Sequence, residues 1–143
     1  MLDYSQIIVQ ISILVDAGLV VLIWMVQLII YPSFTYYKSE DLIKWHQKYT
    51  NRIAVIVVPL MLSQLAFAIV AVFLNLSFTT IITLLIVLFL WIFTFVSFAP
   101  LHFKISEGNT NQKILKLLIQ RNWIRTFLWS VLLVLHLIVS ICI

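Results

Sequence analysis

The chain has 143 residues, 64% of them hydrophobic and only 10% charged, where an ordinary soluble domain carries about 25% charged residues. A soluble globular fold is thereby excluded. The net charge of +4 comes from nine Lys and Arg. All of them lie between apolar stretches, in no basic run interleaved with surface aromatics, so they report membrane orientation and not a nucleic-acid partner. A single cysteine, Cys142, excludes an intramolecular disulfide framework.

The first apolar stretch predicts a transmembrane helix over residues 7–31, closed or kinked by Pro32. It lacks a basic leader segment and a small-residue cleavage site, so it is expected to stay in the mature chain. Asp16, Val20, Trp24, Gln27 and Tyr31 recur at three or four residues and share one helical face. In lipid, a face carrying a carboxylate and an amide must turn toward protein or a polar cavity.

Residues 33–52 form a polar connection. Ser39 is placed to cap a helix reading SEDLIKWHQKY, with Glu40 and Asp41 in its first turn. Leu42, Trp45 and Tyr49 give it an apolar face opposite Lys44 and Lys48, the pattern of an interfacial helix. A second span is predicted over 53–74, bent near Pro59. The uncharged stretch from Asn75 to Phe78 makes a tight turn into a third span over 79–98, which is expected to end before Pro100. The next connection turns at Glu107-Gly108-Asn109. A basic amphipathic helix starting near Gln112 leads into a fourth span over 123–143, with Arg125 snorkelling or paired.

The fold class that follows is all-α: a polytopic transmembrane four-helix bundle, one domain over 1–143, with amphipathic cytoplasmic connecting helices. Basic side chains occupy only the first and third connections. The positive-inside rule therefore places both of these in the cytoplasm and both termini outside. The halves also echo each other faintly. Trp24 precedes Pro32 by eight residues and Trp91 precedes Pro100 by nine.

Chemistry gathers at the mouth where the connections meet. His46 and Arg52 come from the first connection and His102 from the second half. Asn122, Arg125, Thr126 and Trp129 come from the start of the fourth helix, and Gln27 and Tyr31 reach the same depth. Two histidines at one level suit haem or transition-metal ligation, or proton exchange near neutral pH. Arg52 and Arg125 suit an anion. His136, deep in the fourth helix, is a further candidate ligand. Against these stand plainer roles: interfacial anchoring for Trp45 and Tyr49, helix capping for the histidines, and packing for Asp16 and His136.

Several blocks together resemble a family of small bacterial four-helix membrane proteins of unassigned activity. They are Gln27 with Tyr31-Pro32 and Phe34; His46 with Tyr49 and Arg52; Pro59-Leu60-Met61; Pro100-Leu101-His102 with Gly108; and Asn122-Trp123-Ile124-Arg125-Thr126 with Trp129. The last block is the most specific. The architecture is more remotely similar to the anthrone oxygenase-like membrane proteins, whose members oxidise polycyclic phenolic anthrones to quinones with dioxygen. The resemblance implies a bacterial inner-membrane location. It also implies an oxidoreductase acting on an aromatic or quinone-like lipophile, with His46, His102, Asn122 and Arg125 as catalytic candidates. Arg52, Trp129, Tyr31, Gln27 and His136 are candidates for holding a cofactor. Trp24, Trp91, Trp123 and Trp129 would wall the cavity. The competing readings are a non-enzymatic accessory subunit or assembly factor of a membrane complex, and a small transporter whose path is lined by Asp16 in a homodimer.

Overall fold

The computed structural model describes residues 4–142; Ile143, the last residue of the expected fourth span, lies outside them. Four helical rods run up and down: α1 (Gln6–Tyr36), α2 (Ser39–Leu74), α3 (Phe78–Ser106) and α4 (Gln112–Cys142), each long and apolar enough to cross a membrane. α1 packs against both α2 and α4, and α3 closes the ring between them. The two basic connections meet at one end, where the Thr110 hydroxyl donates to Ser39 Oγ at 2.8 Å. We call this the basic end. The α2–α3 hairpin and the last turns of α4 form the uncharged end.

Polarity is distributed as lipid requires. Leu14, Val21, Ile56, Phe73, Ile92 and Phe127 face outward, while Asp16, Gln27, His46, Gln64, Asn122 and Arg125 are buried. An inward-facing polar group finds protein partners that hydrocarbon cannot offer.

The amphipathic segments are not separate connecting helices. SEDLIKWHQKY is the opening of the 36-residue α2, and the Lys113–Arg121 stretch is the opening of α4. No glycine or proline interrupts either junction, so helical propagation runs straight from interface into span. At 1.5 Å per residue α2 is about 54 Å long, well over a bilayer core of about 30 Å, which leaves its first turns outside the hydrocarbon. Leu42, His46 and Tyr49 are buried there, while Lys44 and Lys48 are exposed. Trp45, expected on the apolar face, is 39% exposed. Ser39 does not cap. The N-cap is Lys38, and no side chain bonds the first turn. The α2–α3 turn does have a reciprocal capping box, with Ser77 and Thr80 each accepting from the other's backbone N–H. The Gly108 turn is as expected, at φ +99°.

Pro100 differs from expectation, since it does not end its helix, and Pro32 stands at an irregularity within its helix and not at its end. In a regular helix each ring would press on the carbonyl four residues back. Here a five-residue π turn precedes each proline, Val26–Ile30 and Thr94–Phe98. The N–H of Tyr31 bonds the carbonyl of Val26, and that of Ala99 bonds the carbonyl of Thr94. Each π turn inserts a residue, so two neighbours face the core at once: Val26 with Gln27, and Ser97 with Phe98. Both halves place this device in the same register, ending two residues before proline.

Candidate functional site

At the basic end four elements converge. His46 lies two turns into α2, with Tyr49 one turn on. Tyr31 and Phe34 follow the first π turn. Phe98, His102 and Ser106 follow or close the second, and Arg125 and Trp129 stand on α4. Phe34 and His102 each sit two residues after a proline, and they flank His46 with ring centroids at 5.7 and 5.0 Å. The equivalent register of the two π turns thus delivers two rings to one imidazole.

The histidines form a continuous hydrogen-bonded row. His46 Nδ1 is 3.1 Å from Ser106 Oγ, and His46 Nε2 is 2.8 Å from His102 Nδ1. His102 Nε2 is 3.1 Å from the Tyr31 hydroxyl. An N···N hydrogen bond requires one protonated and one bare nitrogen. The row therefore has two self-consistent polarities. In one, Ser106 donates to His46, His46 to His102 and His102 to Tyr31; in the other, every donor and acceptor is reversed. Switching between them moves a proton's worth of charge from the Tyr31 end to the Ser106 end without moving a heavy atom.

Arg125 borders this row. It is 7% exposed, and so is turned inward and does not snorkel. Its guanidinium lies 4.4 Å from the Phe98 ring centroid and 5.0 Å from that of Trp129, positions suited to cation–π attraction. The Tyr31 and Tyr49 hydroxyls face it. Among the described residues no carboxylate pairs with it, and its Nε has no hydrogen-bond partner. A cavity of about 240 Å³ opens beside it, bounded by Tyr31, Tyr49, Phe98, His102 and Arg125 and reaching outward past Phe95, itself 61% exposed.

The remaining candidates divide. Gln27 and Asn122 bond each other, with the Asn122 amide donating to Gln27 Oε1 at 2.9 Å. Asn122 Oδ1 is buried without a partner among the described residues. Arg52 is exposed and takes no part in the site. None of the four expected tryptophans lines the cavity; its aromatic wall is Tyr31, Tyr49, Phe95 and Phe98, and Trp129 packs behind Arg125. Trp24 and Trp123 pack edge to face at 5.7 Å on the outside of the bundle, where they are 38% and 46% exposed.

His136 belongs elsewhere. Its Nδ1 is 2.6 Å from Asp16 Oδ2. The other carboxylate oxygen accepts from Gln64 at 2.6 Å, and Gln64 Oε1 accepts from the Trp129 indole at 3.1 Å. Trp129 stands between the two polar clusters, its ring toward Arg125 and its N–H toward Gln64.

Ser106, Phe98, Gln64 and the Asp16–His136 pair went unrecognised as site components in the sequence. Ser106 had a usable signal, falling one helical turn after His102. The others depend on how helices rotate against one another. No family model, curated protein or solved structure matches the chain.

Proposed function

We propose that the basic-end cavity binds the oxygen-bearing head of a lipophilic aromatic molecule, a phenol or quinone-like compound, and exchanges a proton with it. The observation that carries this reading is the buried Arg125. A desolvated cation without a carboxylate partner is costly unless something supplies negative charge. Here it faces a cavity that opens toward the bilayer. A phenolate, enolate or quinone oxygen placed there meets the guanidinium and the Tyr31 and Tyr49 hydroxyls. The hydrophobic remainder of the ligand lies out past Phe95.

The Tyr31–His102–His46–Ser106 row then has a purpose. Tyr31 or His102 takes the phenolic proton, the row reverses polarity, and Ser106 returns a proton to the basic-end surface. By the positive-inside rule that surface is cytoplasmic. The resemblance to anthrone oxygenase-like proteins supplies a reaction of the right class. One dioxygen converts the methylene of an anthrone to a carbonyl, releasing one water. Deprotonation to the enolate, held against Arg125, makes the ring carbon electron-rich enough to react.

The geometry bears on haem or a transition metal through its donors. Among the described residues no group of three or more His, Cys, Asp or Glu is gathered to hold a metal ion. His46 and His102 spend their facing nitrogens on each other, so a metal bridging them would replace that bond. The donor set favours proton transfer.

The test is binding of an anthrone and a naphthoquinone to purified protein in nanodiscs, read by quenching of tryptophan fluorescence beside Arg125, with dioxygen uptake measured in parallel. Saturable quenching that Arg125→Gln weakens about tenfold or more, the worth of one charge-assisted hydrogen bond, supports the reading. Equal quenching in the variant sinks it. A Soret band or stoichiometric iron in the purified protein would replace proton transfer with metal chemistry.

A further inference from the structure

We propose a second ligand site at the uncharged end, for a lipophilic molecule with a neutral hydroxyl head, recognised by His136 and Thr83. A cavity of about 520 Å³ lies there between α1, the α2–α3 hairpin and the end of α4. Its volume falls within the range of about 300–1,000 Å³ typical of small-molecule sites. Ile8, Val9, Phe67, Leu135 and Val139 make most of its wall aliphatic or aromatic; Ser12, Thr83 and His136 interrupt that wall, and the hairpin from Asn75 to Thr80 adds polar groups at its mouth.

Two polar groups on this wall lack partners. The Thr83 side chain lines the cavity while its hydroxyl is buried with no hydrogen bond among the described residues, so a turn about χ1 brings the hydroxyl to a ligand. His136 uses Nδ1 to bond Asp16, and no described residue bonds its Nε2. Asp16 is fully buried, with both oxygens engaged by Gln64 and His136. As a carboxylate it accepts from both, which puts a proton on His136 Nδ1, and the neutral imidazole then presents Nε2 to the cavity as an acceptor. Thr83 comes from α3 and His136 from α4, so the unmet demand arises independently on two helices.

A hydroxyl satisfies both. Its O–H donates to His136 Nε2 and its oxygen accepts from Thr83. A carboxylate has no proton to donate to Nε2 and brings negative charge toward Asp16. A quinone carbonyl fails for the first reason. The aliphatic wall suits an alkyl or isoprenoid chain. The ligand class is therefore a long-chain or isoprenoid alcohol. This site is separated from the Arg125 cavity by Trp129 and does not rest on the reading proposed for that end.

The experiment uses the full chain in phosphatidylcholine nanodiscs with a long-chain alcohol carrying a diazirine, followed by mapping of the cross-links. Labelling should fall on the cavity walls in α1, α3 and the end of α4. Hexadecanol should compete with it, and palmitate should not. Thr83→Val, which keeps the side-chain shape, should reduce labelling about fivefold, the worth of one hydrogen bond. His136→Gln should do the same, and His102→Asn at the opposite end should leave labelling unchanged. Labelling that ignores Thr83→Val, that palmitate competes equally, or that scatters over the lipid-facing surface overturns the proposal.

Discussion

His136 Nδ1 lies 2.6 Å from Asp16 Oδ2, tying α4 to α1 between residues 120 positions apart. The carboxylate that composition marks as expensive in lipid therefore has the buried partners that its position demands. It is the centre of a row running from His136 through Asp16 and Gln64 to Trp129.

Asp16→Asn should weaken the bundle, because one carbonyl oxygen replaces the two carboxylate oxygens that His136 and Gln64 engage. Coupling between Asp16→Asn and His136→Gln should be about 0.6–1.7 kcal/mol, the range seen for hydrogen-bonded pairs inside membrane proteins. A double-mutant cycle on unfolding in mixed micelles measures it. Additive effects would mean that the two residues do not act together.

Arg125 should cost stability while serving binding. Arg125→Met keeps the aliphatic stem against Phe98 and Trp129 and removes a buried charge that no described carboxylate pairs. The ligand-free variant should be more stable by about 1 kcal/mol or more, with quinone and anthrone binding lost. Melting curves with and without ligand give both numbers. A destabilised Arg125→Met would show that Tyr31 and Tyr49 already satisfy the charge.

The π turns can be tested by subtraction. Deleting Leu28 shortens the Val26–Ile30 turn by the residue that makes it π. The regular turn then carries the Leu19, Ile23 and Val26 face straight into Tyr31, so membrane insertion, the Tyr31–His102 contact and ligand binding should persist. The matching deletion of Val96 should likewise leave His102 in place. Binding lost in both would show that the site needs the widened turn itself and not only the register it sets.

Orientation has a built-in reporter. Cys142, the one cysteine in the chain, is exposed at the uncharged end. With the basic end in the cytoplasm, a membrane-impermeant maleimide should label it in intact cells. A cysteine replacing Lys38 in a Cys142→Ser background should react only after permeabilisation. The reverse result would invert the positive-inside assignment.

The sequence by itself determined the elements. Four spans, the two basic connections at one end, the turns at Asn75 and Gly108, and the inward face of Asp16, Gln27 and Tyr31 are all local patterns, carried by hydropathy and a period of 3.6 residues. Local signals also misled. Pro100 read as a helix end, and Pro32 as an end or a kink, because proline ends most soluble helices, whereas a helix in lipid has no water for freed backbone groups and widens into a π turn instead. Trp24 sits on the inward period yet ends up 38% exposed against Trp123.

Only the tertiary structure decided the pairings. His46 with His102, Asp16 with His136, and Gln27 with Asn122 each join residues 56 to 120 positions apart. Which polar groups meet depends on the rotation and depth of each helix against its neighbours. Each π turn resets that rotation by one residue, a shift that no periodicity within a single helix records. The depth of His136 follows from its place along α4, but its pairing with Asp16 depends on that rotation.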